Sequence, residues 1–250
     1  MDKVVRISDG FWNIRGSFRV FGLLDIGTQA SLVRLARGGF VLLDSYTLTG
    51  AVEADVRRLT GGGGQLEAII NLHPFHTVHV EAAARAFPNA KLYGTGRHAS
   101  KFPALAWQPE RTETEAFAAL FADDFDFTVP PGVDFVPSNE NLHFASVLAI
   151  HKASRTLHVD DTLSWLPIPF AGRVGFHPSL GQVLQRRAGA VAEFRAWAEG
   201  LIERSAEIEH LCTAHARLAK VRGAAAIQAE LRGAYARVEA TLDAHEARYG

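Results

Sequence analysis

Arg155-Thr156-Leu157-His158-Val159-Asp160-Asp161-Thr162-Leu163 is a short strand that runs directly into two carboxylates. Residues 156–159 alternate β-branched and apolar side chains with a histidine, a pattern that fits a buried strand. Lys152-Ala153-Ser154-Arg155 before it has the polar, small composition of a hairpin turn, and 146–151 supplies the preceding strand. Three other strand ends carry residues of the same chemistry. The apolar run 66–72 is followed by His73-Pro74-Phe75-His76-Thr77-Val78-His79, which opens a helix. A strand over 134–137 and a short loop lead to His143, and a strand over 208–212 leads to His215. In open α/β sheets, ligands gather at the carboxyl ends of strands, so four such ends can converge on one site. Imidazole suits zinc and iron, and a carboxylate can bridge two cations.

The rest of the chain supports an α/β reading. Strands are expected at 18–24 and 30–35, and 39–44 is an apolar strand closing on Asp44. Val52, Val56 and Leu59 fall on one helical face within 49–59, and Gly61 to Gly64 stop that helix. A helix over 81–87 ends at Pro88-Asn89, and 91–93 is a short strand. The proline-bearing stretch 98–132 reads as irregular. From Val183 the pattern is helical to about Arg204, and one long helix is expected over 223–247. No repeat or low-complexity linker divides the chain, so residues 1–250 are expected to form a single domain.

Composition excludes several classes. The 250 residues are 48% hydrophobic and 21% charged, which is globular rather than disordered. A net charge of −1 argues against a nucleic-acid or anionic-lipid partner. The single cysteine, Cys212, excludes an intrachain disulfide framework and a multi-cysteine zinc module. No targeting segment or apolar run of spanning length shows, so a cytoplasmic protein without a membrane partner is expected.

These motifs, in this order, resemble the metallo-β-lactamase fold superfamily over nearly the whole chain. Leu42-Leu43-Asp44 is similar to the first motif, an aspartate that orders the metal loop. His73 to His79 stands where the HxHxDH motif would be, and His143 is similar to the third-motif histidine. Residues 155–163 resemble the segment that ends in the metal-bridging aspartate, here Asp161 with Asp160 in place of the usual glycine. Thr213-Ala214-His215 is similar to the last motif. The resemblance implies an αββα four-layer sandwich. It implies His73, His76, His79, His143, Asp161 and His215 as metal ligands, with Asp161 and His76 as the catalytic candidates. The cofactor would be zinc, one or two ions, with iron as an alternative. Two positions depart from the pattern: Pro74 replaces the first histidine, with His73 one place earlier, and Val78 replaces the aspartate. Val78 is expected to be a position where a restored carboxylate would be costly without a cation.

The function implied is a metal-dependent hydrolase. Through a metal-bound hydroxide it would cleave an ester, amide or phosphoester of a small-molecule substrate. Two alternatives stand beside it: a degenerate, non-catalytic ligand-binding member, favoured by Pro74 and Val78, and an iron-dependent oxidoreductase on the same fold. The oligomeric state is left open, a homodimer included. Residues 164–180, with Trp165, Pro167, Pro169, Phe170, Phe176 and Pro178, follow Asp161 and read as an apolar lid or as a loop packed on the core. His98, His151, His158, His177, His210 and His245 read as structural or surface residues, with His177 the exception to watch. Gly94-Thr95-Gly96-Arg97-His98-Ala99 fits a dinucleotide fingerprint in letters but reads as a loop, because Phe102-Pro103 interrupts any helix after it. Asp123-Asp124-Phe125-Asp126 lacks EF-hand spacing and reads as a solvated loop.

Overall fold

The structure is a computed structural model and describes residues 2–20, 24–168, 171–215 and 219–250. It divides into two compact units, Met1–Phe127 with His151–Ser154, and Thr128–Ile150 with Arg155–Gly250.

The first unit begins with strands β1 (Lys3–Ser8), β2 (Phe11–Gly16), β3 (Arg19–Val20), β4 (Leu24–Asp25), β5 (Thr28–Arg34) and β6 (Phe40–Leu43). It continues through helix α1 (Gly50–Leu59), strand β7 (Leu66–Ile70), helix α2 (Val80–Ala86), strand β8 (Lys91–Gly94) and helix α3 (Gly96–Lys101). Strand β9 (Trp107–Arg111), helix α4 (Glu115–Leu120) and strand β10 (Phe125–Thr128) follow. Seven strands form one sheet in the order β1-β2-β5-β6-β7-β8-β9. Strands β6, β7, β8 and β9 are parallel, so their carboxyl ends point the same way. Val52 and Val56 of α1 and Ala83 of α2 pack with Leu32, Leu42 and Ile69 of the sheet. That burial is the reason the apolar stripe of α1 forms a helix at all. The helix stops because Gly61, Gly62 and Gly63 all take positive φ (58°, 76° and 99°), a region open at little cost only to glycine. Strand β6 is fully buried, as its apolar run implied.

The second unit contains β11 (Leu148–His151, whose last residue belongs to the first unit), β12 (Thr156–Val159), β13 (Leu163–Ile168) and β14 (Ala171–Phe176). Helices α5 (Leu180–Val183) and α6 (Ala190–Arg204), strand β15 (His210–Thr213) and helices α7 (Ala224–Ala236) and α8 (Glu239–Tyr249) complete it. Strand β12 lies between β11 and β15. Phe144, Leu157, Val159, Trp165, Phe176, Phe194, Leu201, Leu231 and Leu242 share its core.

Several sequence expectations are corrected. Residues 98–132 are not irregular: they hold most of α3 and all of β9, α4 and β10, because Thr95 and Thr114 accept backbone N–H groups as helix caps between the prolines. The stretch 134–137 is not a strand; the chain makes only an isolated bridge there, Val133 with Leu184. Helix 223–247 is two helices, broken at Arg237-Val238. The helical stretch from Val183 is likewise the short α5 followed by α6. The segment after Asp161 is an antiparallel hairpin, β13 with β14, rather than a loop. Trp165 and Phe176 belong to the core, not to a lid. Pro169 and Phe170 lie outside the described residues.

His151 makes an internal check on this packing. It is buried in the first unit between Phe11 and Phe125, with Nδ1 2.7 Å from Ser154 Oγ, and burial pushes its pKa down to about 4. An unfolded chain binds this proton near pH 6.5, so stability is full above that pH and is lost as pH falls toward 4. The expected loss from this one group approaches about 3 kcal/mol at the acid end. Thermal unfolding followed across pH 7 to 4 should show a shallower acid decline for His151→Gln than for the unsubstituted chain. Parallel declines would show that His151 does not titrate as its burial requires.

Candidate metal centre

Asp44 closes β6 with a left-handed backbone, φ 60°, a conformation that costs a non-glycine residue free energy and that aspartate tolerates better than most. Its Oδ1 accepts the Leu72 N–H at 2.9 Å, and its own N–H donates to Ile70 O at 2.8 Å. The carboxylate thereby latches the end of β6 to the end of β7, immediately before the histidine segment. Asn71 continues the latch, accepting Ser45 Oγ–H at 2.7 Å and donating to Tyr93 O at 3.0 Å.

The segment 73–79 is a compact turn. The His76 N–H reaches His73 O at 3.1 Å, and the two imidazoles stack with centroids 4.2 Å apart. His73 is buried, and its Nδ1 accepts the Phe75 N–H at 3.1 Å. His79 precedes α2. Its Nδ1 lies 2.8 Å from Thr47 Oγ1, its ring packs on Tyr46 at 5.0 Å, and its Nε2 is buried with no hydrogen-bond partner. Burial first, and then the neighbouring His76, hold the His79 pKa below the usual histidine value, with Asp2 opposing. The ring is therefore neutral near pH 7, the state in which an imidazole can ligate.

Helix α3 braces this turn from a direction the sequence did not reveal. Arg97 donates to Pro74 O at 3.1 Å and lies over the Phe75 ring at 4.4 Å. His98 Nε2 is 3.4 Å from His76 O, and Lys101 Nζ donates to Thr77 Oγ1 at 2.8 Å. His98 also completes a capping box with Thr95, and burial lowers its pKa to about 4. The glycine pattern at 94–99 that resembled a nucleotide loop is thus the start of a bracing helix. The signal that could have found it was Thr95 three residues before His98, a capping pair. Val78 departs from expectation in the other direction: it is 69% exposed, so a carboxylate there would be solvated and would carry no burial penalty.

In the second unit, β12 and β15 run parallel with Val159 opposite Thr213, so Asp161 and His215 emerge from adjacent strand ends. The buried Asp161 lies with Oδ1 2.9 Å from His215 Nε2 and Oδ2 4.0 Å from His143 Nδ1. His143 uses its other nitrogen, Nε2, on Glu140 O at 2.9 Å. Thr162 holds the turn: its hydroxyl donates to Phe144 O at 2.9 Å and accepts the Ser146 N–H at 3.0 Å. Of the six expected ligands, His73, His76 and His79 share the first unit's turn, and His143, Asp161 and His215 share a cluster in the second. Candidate metal-ligating side chains also include Asp44 in the first unit and His158 and Asp160 in the second.

No protein-family model matches the sequence, and no curated protein matches it. Solved structures do match. A metallo-beta-lactamase from Pontibacter korlensis is 14% identical with TM-score 0.56, covering 93% of this chain and 99% of its own. One from Erythrobacter litoralis is 12% identical with TM-score 0.60, covering 94% and 96%. The metallo-beta-lactamase FIM-1 from Pseudomonas aeruginosa, solved in a mono-zinc form, is 10% identical with TM-score 0.58, covering 95% and 96%. The chain has the metallo-β-lactamase fold, an α/β fold of the αββα type. It carries candidate metal-binding side chains, and no helix among the described residues is long and apolar enough to cross a membrane.

Proposed function

We propose that the protein is a metal-dependent hydrolase acting on an ester, amide or phosphoester of a small molecule, as a single cytoplasmic domain. The observation that carries this reading is the parallel register of β12 and β15, which sets the buried Asp161 carboxylate 2.9 Å from His215 with His143 beside it. The residues fit a metal. His79 has a neutral ring and a buried Nε2 without a partner, and its Nδ1 is engaged by Thr47. His143 has its second nitrogen on a carbonyl. A ligating histidine commonly spends its other nitrogen in this way. His73, His76, His79, His143, Asp161 and His215 would hold zinc. Their assignment to one centre rests on the order of the motifs and its resemblance to the superfamily. A single ion is the expected content, because Val78 stands where the superfamily pattern has an aspartate.

When bound, zinc supplies Lewis acidity and lowers the pKa of a water to about 7. The chain supplies the rest. Asp44 and helix α3 fix the histidine turn, the neutral His79 keeps its lone pair at neutral pH, and Thr162 fixes the angle at which Asp161 leaves β12. His76 and Asp161 are the residues proposed to contact substrate. The test is turnover of a panel of aryl esters, lactones and phosphodiesters by the zinc-loaded protein. Chelator-sensitive hydrolysis of at least one is expected. Zinc binding without turnover on any of them would favour the non-catalytic reading, for which Pro74 and Val78 are the motivation.

A further inference from the structure

Two residues beyond the Asp44 latch stands Tyr46, and we propose that it is a positioning residue for His79, holding the imidazole so that Nε2 faces the metal. This rests on the metal centre proposed above and concerns the first unit alone. The Nε2 of His79 is buried without a hydrogen-bond partner, so the nitrogen a metal would take is the one the chain leaves unsatisfied. Ligands must be held to within about 0.5 Å of their working geometry, which requires that their rotamers be locked by packing and hydrogen bonds. Two consecutive residues do this for His79. Thr47 Oγ1 lies 2.8 Å from Nδ1 and fixes which edge of the ring faces away from the metal. With Nε2 given to a metal, the ring proton sits on Nδ1 and is donated to that hydroxyl. One such contact leaves the ring free to rock about the Nδ1–Oγ1 line. Tyr46 removes that freedom: its ring lies against the imidazole with centroids 5.0 Å apart and planes inclined by 51°. The phenol is itself fixed. It is buried with Leu42, Val52 and Val56 in the core between the sheet and α1, so the orientation of His79 is referred to the rigid part of the unit. Its hydroxyl donates to the Asp2 carboxylate, and burial followed by that hydrogen bond pushes its pKa up, so it keeps the proton it donates. On β2 the facing position is Gly16, where a Cβ would overlap the phenol. The ring can seat there only because β2 carries no side chain at that point. The test is titration of the full chain with zinc by calorimetry and with cobalt(II) by visible absorption. It compares the unsubstituted protein, Tyr46→Leu and Tyr46→Phe, and Tyr46→Leu again in a His79→Ala background. Circular dichroism and unfolding in chelator establish which variants are folded. The expected result for Tyr46→Leu is zinc affinity lowered about 10-fold, the lower end of the range for outer-sphere partners, with a changed cobalt spectrum. Tyr46→Phe, which keeps the ring and loses the Asp2 anchor, should show a smaller loss in the same direction, and it carries the test should Tyr46→Leu fail to fold. In the His79→Ala background Tyr46→Leu should cost no further affinity, because its effect passes through that ring. Unchanged affinity and spectrum in the folded Tyr46 variants, or an undiminished loss in the His79→Ala background, would overturn the assignment and leave the metal centre intact. Failure of the unsubstituted protein to bind either metal would overturn both.

Discussion

Asp161→Asn is expected to weaken zinc binding by at least ~100-fold and to abolish chelator-sensitive hydrolysis while leaving the metal-free fold in place. The effect of losing a ligand exceeds that of losing an outer-sphere partner, itself about 10- to 100-fold. Asp161 is buried at the end of β12, and Asn preserves its shape, so the substitution removes charge and ligand strength rather than packing. Stability gives an independent reading. A ligand at 100 times its Kd stabilises the folded state by about 2.7 kcal/mol. The unsubstituted chain should therefore gain several degrees in unfolding midpoint with zinc, and Asp161→Asn should gain none at the same concentration. A zinc-dependent midpoint shift of equal size in both would remove Asp161 from the ligand set.

Trp165→Ala is expected to cost about 3–5 kcal/mol of stability, the usual range for emptying a large aromatic site, without altering zinc affinity. Trp165 on β13 is buried in the second unit's core and lies opposite Val174 across the hairpin. The indole sits so close over Gly172 that a Cβ at that position would come within 2.1 Å of it. The site is therefore already filled to van der Waals contact, and its neighbours cannot collapse into the space left by truncation. Chemical denaturation measures the loss directly. A variant of unchanged stability that loses turnover would restore the lid reading that the hairpin displaces.

The strand-end ligands were legible in the sequence because buried parallel strands leave short runs rich in apolar and β-branched residues, and 40–43, 66–70, 156–159 and 210–213 are such runs. The positions of Asp44, Asp161 and His215 follow once those runs are read. What the sequence concealed was held by contacts between distant segments. Arg97 reaching Pro74 and Lys101 reaching Thr77 connect residues more than twenty positions apart, and no local periodicity signals them. Proline misled twice in one direction. It suggested irregular structure over 98–132, where Pro109 lies within edge strand β9 and tolerates the missing donor. It suggested a lid over 164–180, where Pro167 lies in a two-stranded hairpin. Val78 misled because a hydrophobic residue inside a ligand motif reads as buried, whereas the turn before α2 presents it to solvent.

The central claim is that this fold holds a metal through the strand-end residues. Elemental analysis of the protein purified without chelator tests it most directly, run beside His76→Ala and His215→Ala. About one zinc per chain in the unsubstituted protein and little in either variant is the expected result, since each substitution removes one ligand of the set. A chain without metal, or full metal content retained in both variants, would contradict it.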